Sequence, residues 1–218
     1  MSKPVALYIA FSAAGLSAMA VAATAVRADM IDTSGMAAWE HCALCHSADG
    51  VSTMAKFPKL AGQRPRYIAK QLRDFRAKRR SNDGGPMLTN AGLLSEEQVE
   101  EVATYFAALP PPPPADGDLG PRAVATGERL FNEGKPEAGV AACATCHAGG
   151  GNPGVLAPRI EAQHAAYLEK QLMDFRAGVR DNDPDGLMRS VAAGLSEAEI
   201  AAVAAYAATL EQPEGAAP

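Results

Sequence analysis

The sequence has little aromatic character, only four cysteines and no surplus of positive charge. Aromatic residues make up 6% of the 218 residues, and 20 Lys and Arg oppose 25 Asp and Glu, which gives a formal net charge of −5. An acidic chain without aromatic residues interleaved in a basic patch does not match nucleic-acid-binding proteins. Low-complexity tracts, collagen-type repeats and the many long apolar runs of a multispanning membrane protein are also absent. Of these classes of protein, a globular protein is the one that remains, and the abundant alanine of the chain favours helices.

The N-terminal segment has the pattern of a secretory signal peptide. Lys3 provides a short positive region, residues 5–26 are largely apolar and uncharged, and small residues offer cleavage sites before Val26 or Asp29. We therefore predict that residues 1–28 are a signal peptide and that the remaining chain is exported to the periplasm. An uncleaved membrane anchor stays open as an alternative, because the apolar run is long enough to span a bilayer.

The chain after this segment contains an internal repeat. The sequence YIAKQLRDFRAKRRSND, which starts at Tyr67, recurs as YLEKQLMDFRAGVRDND from Tyr167, with eleven of the seventeen positions identical. Five consecutive prolines at 110–114 lie between the halves, and such a run is typical of an extended, semi-rigid spacer. We predict two domains, residues 29–109 and 119–218, which are joined by a proline-rich linker at 110–118.

Both halves have the features of helical domains. Apolar residues recur at helical spacing within the repeated segment. The last predicted helix of each half starts with a capping box, formed by Ser95 and Gln98 in the first half and by Ser196 and Glu199 in the second. No segment alternates as a half-buried strand does, so we predict an all-α fold of two tandem domains. Domains of this size bury little apolar surface and usually need a cofactor or cross-link.

All four cysteines belong to two C-x-x-C-H motifs. The motif residues are Cys42, Cys45 and His46 in the first half and Cys143, Cys146 and His147 in the second. This motif attaches c-type haem, because two thiols on one helical turn reach the vinyl groups and the adjacent histidine binds the iron. A zinc site fits less well, since the two pairs are nearly a hundred residues apart, and redox-active dithiols need no histidine after each pair. The sequence therefore predicts two covalently bound haem c groups.

Two methionines occupy equivalent places in the halves. Met87 and Met188 each lie 41 residues after the motif histidine of their half. Methionine as the sixth ligand makes the iron six-coordinate and raises its potential, which suits electron transfer. We predict that His46 with Met87, and His147 with Met188, are the axial ligands, and that the chain has no catalytic residue. Core-filling methionines, or a bis-histidine site through His164, are the alternatives.

Two prolines also correspond between the halves. Pro58 and Pro158 lie between the motif and the repeated tyrosine. A metal-bound histidine normally donates its other ring proton to a carbonyl, and a proline carbonyl in this loop is a suitable acceptor. A simple interruption of the loop is the alternative interpretation.

The motifs, the segment FPKLAGQRPRYIAKQLRDFRA, the segment NDPDGLMRSVAAGLS and the last helices together resemble the cytochrome c4 family. That resemblance covers nearly all of the chain after the signal segment and implies two class I cytochrome c domains in a periplasmic dihaem protein. It implies axial ligation by His46, Met87, His147 and Met188. The sequence departs from the family in its five-proline linker and at residues 158–163.

The expected function is that of a one-electron carrier rather than an enzyme. The family resemblance implies redox protein partners, with a quinol-oxidising complex or a dehydrogenase as donor and a terminal oxidase as acceptor, and peripheral membrane association stays open. One alternative is the cytochrome subunit of a flavoprotein dehydrogenase of the sulfide-oxidising type. A dihaem enzyme is the other, although the related thiosulfate-oxidising type uses a cysteine as an axial ligand and every cysteine here lies in a motif.

Overall fold

The computed structural model describes residues 35–115, 121–149 and 155–212, so the predicted signal peptide lies outside the described residues. Regular structure in these ranges is helical, with no strand and one isolated β-bridge between Lys135 and Val140. The predicted all-α fold is therefore confirmed. No single helix in the same ranges is long and apolar enough to cross a membrane, whereas one bent pair, Pro184–Ala193 with Glu197–Ala208, meets that test by length and composition.

The described part of the chain contains four α-helices in the first half and five in the second. They are α1 (Ala38–His46), α2 (Pro65–Arg76), α3 (Pro86–Gly92), α4 (Glu96–Ala108), α5 (Pro121–Asn132), α6 (Ala144–His147), α7 (Ala165–Arg176), α8 (Leu187–Ala193) and α9 (Glu197–Ala208). Short 3₁₀ turns at Pro136–Ala138 and Pro184–Gly186 complete the second half. The repeated segment thus forms α2 and α7, and the capping boxes precede α4 and α9.

In the first half, α2 packs against both α3 and α4, while α1 packs against α4. Pro65 occupies the first position of α2, where its missing N–H removes no helical hydrogen bond. The inward faces of α2 and α4 carry the core residues Ile68, Leu72, Phe75, Val99, Val102 and Phe106. The helical spacing of apolar residues in α2 and α4 therefore produces one apolar interface in the core of the first half.

The second half differs from the first before its motif. In the first half the motif ends α1, whereas in the second half a loop with the Lys135–Val140 bridge separates α5 from the motif helix α6. Helices α5 and α9 cross closely at Gly127, where a Cβ atom would lie 2.4 Å from the carbonyl oxygen of Ala202. Only glycine permits this approach between the two backbones.

The capping boxes predicted from the sequence are confirmed. The backbone N–H of Gln98 donates to Ser95 Oγ at 3.2 Å, and the N–H of Ser95 donates to Gln98 Oε1 at 2.9 Å. Ser196 and Glu199 make the same pair of bonds at 3.3 and 2.8 Å. Each box satisfies donors that the first turn of a helix leaves unpaired.

The described part of the linker, residues 110–115, is held against both halves. Lys59 Nζ donates to the carbonyl of Pro113 at 3.5 Å, and the N–H of Ala115 donates to the carbonyl of Ala208 at 2.8 Å. The described residues of the two halves belong to one compact unit. The five prolines therefore connect domains that pack directly on each other.

Candidate haem-binding sites

The motif histidines are buried and oriented by proline carbonyls. His46 ends α1 and His147 ends α6, with 6% and 8% of their surfaces exposed. His46 Nδ1 donates to the carbonyl of Pro58 at 2.9 Å, and His147 Nδ1 donates to that of Pro158 at 2.8 Å, which confirms the predicted acceptors. Burial lowers the pKa of both rings, and the carbonyl bonds only partly oppose it. Each ring is therefore neutral at pH 7 and offers Nε2 to a metal.

The first cysteine of each motif does not have the electrostatic character of a metal-binding or redox-active thiol. Burial raises the pKa of Cys42 and Cys143 to about 11, so both remain protonated at neutral pH. Zinc binding and disulfide exchange both require a thiolate, which such sites favour by lowering the pKa. In addition, the described ranges contain no cluster of three or more His, Cys, Asp or Glu that could hold a metal ion.

The two equivalent methionines begin corresponding helices. Met87 is the second residue of α3 and Met188 is the second residue of α8. An aspartate holds each helix start: the carboxylate of Asp83 accepts from the N–H of Met87 at 2.5 Å, and that of Asp183 accepts from the N–H of Arg189 at 3.0 Å. The aspartates differ in register because a 3₁₀ turn precedes α8.

A single cavity of about 840 Å³ connects the two halves. Its wall includes every residue predicted to hold haem: Cys42, Cys45, His46, Met87, Cys143, Cys146, His147 and Met188. The wall is mainly apolar, with side chains from both cores such as Leu72 and Leu172, and it also includes Arg80 and Arg180. Packed protein interiors contain few voids larger than a water molecule, so apolar space of this size marks room for a cofactor. Apolar walls, free imidazole nitrogens and thioether sulfurs are the surroundings that c-type haem requires.

Two buried arginines join the halves beside this cavity. Arg80 donates to Tyr167 Oη at 3.1 Å and to Gln171 Oε1 at 3.0 Å, both in the other half. Arg180 donates to Tyr67 Oη at 3.1 Å and to Gln71 Oε1 at 3.2 Å, which is the same arrangement with the halves exchanged. The network therefore follows the internal repeat and locks the faces of α2 and α7 together.

Two asparagines extend the network. Asn82 Nδ2 donates to Asp174 Oδ2 at 2.6 Å, and Asn182 Nδ2 donates to Asp74 Oδ2 at 2.7 Å. No motif or local periodicity in the sequence pointed to these residues. The available signal was the identity of polar residues in both copies of the repeat, at Gln71, Arg80 and Asn82 and at their counterparts a hundred positions later.

Comparison with known proteins identifies two cytochrome c domains. The family model for cytochrome c matches residues 33–110 and 124–211. A cytochrome c4 from Thiocapsa roseopersicina is 43% identical over 174 residues, 78% of this chain and 88% of that protein. The thiosulfate dehydrogenase electron acceptor of Stutzerimonas stutzeri is 38% identical over 207 residues, 92% of this chain and 95% of that protein. The crystal structure of reduced recombinant cytochrome c4 from Pseudomonas stutzeri superposes with a TM-score of 0.71 at 38% identity, over 80% of this chain and 97% of that one.

Proposed function

Because the chain belongs to the cytochrome c4 family, we propose that its haem irons are ligated by His46 with Met87 and by His147 with Met188. The protein is an electron carrier with two covalently bound haem c groups. One observation carries the ligand assignment: in each half, a buried histidine with its Nδ1 already bonded and a helix-starting methionine line the same cavity.

The side chains of this chain determine what the haems can do. A bound haem supplies a one-electron couple between ferric and ferrous iron. The carbonyls of Pro58 and Pro158 hold the histidine rings in one tautomer and orientation. Met87 and Met188 would fill the sixth position, which leaves no open site for a substrate. The mainly apolar wall raises the cost of the ferric charge. The arrangement suits outer-sphere electron transfer, and we propose that the chain is not itself an enzyme.

The methionine assignment is tested by replacing one thioether at a time. Met87→Ala is expected to remove the far-red iron–methionine band of one haem, lower its potential and allow carbon monoxide to bind, because the iron loses its sixth ligand. Met188→Ala is expected to do the same to the other haem. Met54→Ala is the matched control, since Met54 is 49% exposed and has no counterpart in the second half. Unchanged potentials and spectra in both variants would refute the ligand pairs.

We propose that the protein works in the periplasm, between a donor complex and a terminal oxidase. The N-terminal signal pattern and the cytochrome c4 relatives support this location. A quinol-oxidising complex or a dehydrogenase is the proposed donor. Peripheral association with the membrane is consistent with partners of this kind. The location is tested by fractionating cells that express the full chain, with recovery in the periplasmic or washed-membrane fraction expected and recovery in the cytoplasm contradicting it.

A specific donor is favoured by one comparison. The thiosulfate dehydrogenase electron acceptor of Stutzerimonas stutzeri aligns over more of this chain than the cytochrome c4 relative does. We therefore propose a thiosulfate-oxidising dehydrogenase as a second candidate donor, beside the flavoprotein type. Stopped-flow reduction of the oxidised protein by each purified dehydrogenase separates them. Rapid saturable reduction identifies the donor, and reduction no faster than with thiosulfate or sulfide alone rejects that enzyme.

A further inference from the structure

Two buried glutamines each bind the backbone of the opposite half. Gln163 Oε1 accepts from the N–H of Lys59 at 2.9 Å, and Gln163 Nε2 donates to the carbonyl of Lys59 at 2.9 Å. In the same way, Gln63 Oε1 accepts from the N–H of Arg159 at 2.8 Å, and Gln63 Nε2 donates to the carbonyl of Arg159 at 2.9 Å. Both glutamine residues are 6% exposed, so water does not compete for these bonds.

The orientation of each amide is determined by its surroundings. Gln163 Oε1 also accepts from the N–H of His164 at 3.1 Å, and Gln63 Oε1 accepts from the N–H of Arg64 at 3.0 Å. A flipped amide would direct its NH₂ group at two backbone N–H donors, which cannot accept a hydrogen bond. The oxygen of each glutamine must therefore face the opposite half's N–H group.

The N–H groups that these glutamines bind belong to the peptide units that orient the motif histidines. The N–H of Lys59 shares a peptide unit with the carbonyl of Pro58, which accepts from His46 Nδ1 at 2.9 Å. The N–H of Arg159 shares one with the carbonyl of Pro158, which accepts from His147 Nδ1 at 2.8 Å. A continuous chain of hydrogen bonds therefore runs from each histidine through one peptide unit to a glutamine of the other half.

Such a chain has an electronic consequence. Resonance couples the N–H and C=O ends of a peptide unit, so an acceptor at the N–H makes the carbonyl more negative. A stronger carbonyl acceptor draws the Nδ1 proton further from the ring and increases the basicity of the histidine as a ligand. A more basic axial histidine favours ferric iron and lowers the reduction potential of its haem.

We propose that each half of the protein tunes the haem of the other half: Gln163 lowers the potential of the haem held by His46, and Gln63 lowers that of the haem held by His147. Both act as positioning residues, through the peptide units after Pro58 and Pro158. The inference rests on the proposed axial roles of the two histidines. Under this proposal, the packing of the two halves sets the haem potentials as well as supporting the fold.

The test replaces each glutamine with methionine, which keeps an unbranched chain and removes both the donor and the acceptor. The potential of each haem is measured in the haem-loaded full chain by redox titration that follows the resolved haem methyl resonances in NMR spectra. Gln163→Met is expected to raise the potential of the first haem, so that its ratio of reduced to oxidised form at fixed ambient potential increases about threefold or more, where tenfold corresponds to about 59 mV. The potential of the second haem is expected to change by only a small fraction of that shift. Gln63→Met is expected to give the reverse pattern.

A second readout reports on the hydrogen bond itself. In the reduced, diamagnetic protein, the Nδ1 proton of His46 is expected to move upfield in Gln163→Met, while that of His147 stays in place. His164→Leu is the matched control, because it removes a cross-half bond of 2.8 Å to the carbonyl of Ser52 without touching either peptide unit. Glutamines that merely held the halves together would shift both haems in every variant, and this result would overturn the proposal.

Two further outcomes keep the test decisive. If Gln163→Met does not retain both haems, Gln163→Glu is used instead, because it keeps the acceptor oxygen. The potential of the first haem is then expected to stay unchanged or fall, and a rise would overturn the proposal.

Failure of the ligand assignment would give a different result. The spectra of Met87→Ala and Met188→Ala judge the axial ligands independently, so a normal result there with no crossed pattern here rejects only the role of the glutamines.

Discussion

Replacing Arg80 with methionine tests how strongly the polar interface holds the two halves together. Arg80 is 7% exposed. Its guanidinium donates at 2.9 Å to Asn82 and Gln71 and at 3.1 and 3.0 Å to Tyr167 and Gln171, and it lies 4.6 Å above the ring of Phe75. Methionine keeps the unbranched stem and removes the charge with all four bonds.

The expected loss follows from these contacts. Hydrogen bonds from a charged donor contribute roughly 1.5–3 kcal/mol each, and a buried cation–π contact contributes about 2 kcal/mol. Removing a buried charge also recovers its desolvation cost. The two glutamine oxygens keep other donors, because Gln71 still accepts from Asn182 and Gln171 still accepts from Arg180. These opposing effects give a net loss of about 3 kcal/mol in the free energy of unfolding.

The assay is guanidinium unfolding of the haem-loaded protein, followed through the far-red band and the helical circular dichroism signal. Arg79→Met is the matched control, because Arg79 is the next residue, its side chain is 61% exposed, and the buried carboxylate of Asp74 that it pairs with keeps its contacts with Lys70 and Asn182. Because the guanidinium of Arg79 itself stays in water, its pair is expected to contribute about 0–1 kcal/mol. Arg180→Met is expected to match Arg80→Met. A loss in Arg80→Met no larger than that in Arg79→Met would refute the reasoning.

Two further predictions concern packing and acid stability. Gly127→Ala is expected to cost about 1–3 kcal/mol of unfolding free energy, because its Cβ would lie 2.4 Å from the carbonyl oxygen of Ala202. Gly92→Ala is the control, and it is expected to be neutral or slightly stabilising because the new methyl group would lie in open space. Equal effects of the two substitutions on the free energy of unfolding would contradict this account. A backbone hydrogen bond at Ser196 and the ammonium group of Lys135 lower the pKa of Glu199 from 4.5 to about 2. The folded-state pKa is depressed, so the stabilisation is fully present above pH 4.5 and is lost as the pH falls toward 2. Glu199→Gln should therefore flatten the fall of stability over that window, and an unchanged acid profile would count against the pKa shift.

The sequence predicted the parts of the fold that local patterns encode. Helical spacing and capping residues located α2, α4, α7 and α9, and the repeat showed that the halves share one architecture. The C-x-x-C-H motifs predicted two haems, which the family comparison supports. Helical spacing, capping boxes and the C-x-x-C-H motifs could be predicted because each depends on residues a few positions apart, and the repeat required only that one half of the sequence be compared with the other.

The interface between the halves could not be predicted in this way. Arg80 meets Tyr167 and Gln163 meets Lys59 across about a hundred residues of chain, and no local periodicity specifies such pairs. The five prolines predicted a spacer, yet hydrogen bonds from Lys59 to Pro113 and from Ala115 to Ala208 hold this segment against both halves. Polar residues that are identical in both copies of a repeat therefore indicate candidate contacts between the copies.

The most direct test of the central claim is an ultraviolet–visible spectrum of the haem-matured protein, oxidised and reduced, with and without carbon monoxide. If Met87 and Met188 are the sixth ligands of the two irons, the spectrum is expected to show a far-red iron–methionine band with the intensity of two haems, and carbon monoxide is not expected to bind. A high-spin spectrum, or ready binding of carbon monoxide to either iron, would contradict the account, because an open coordination site belongs to an enzyme rather than to a carrier.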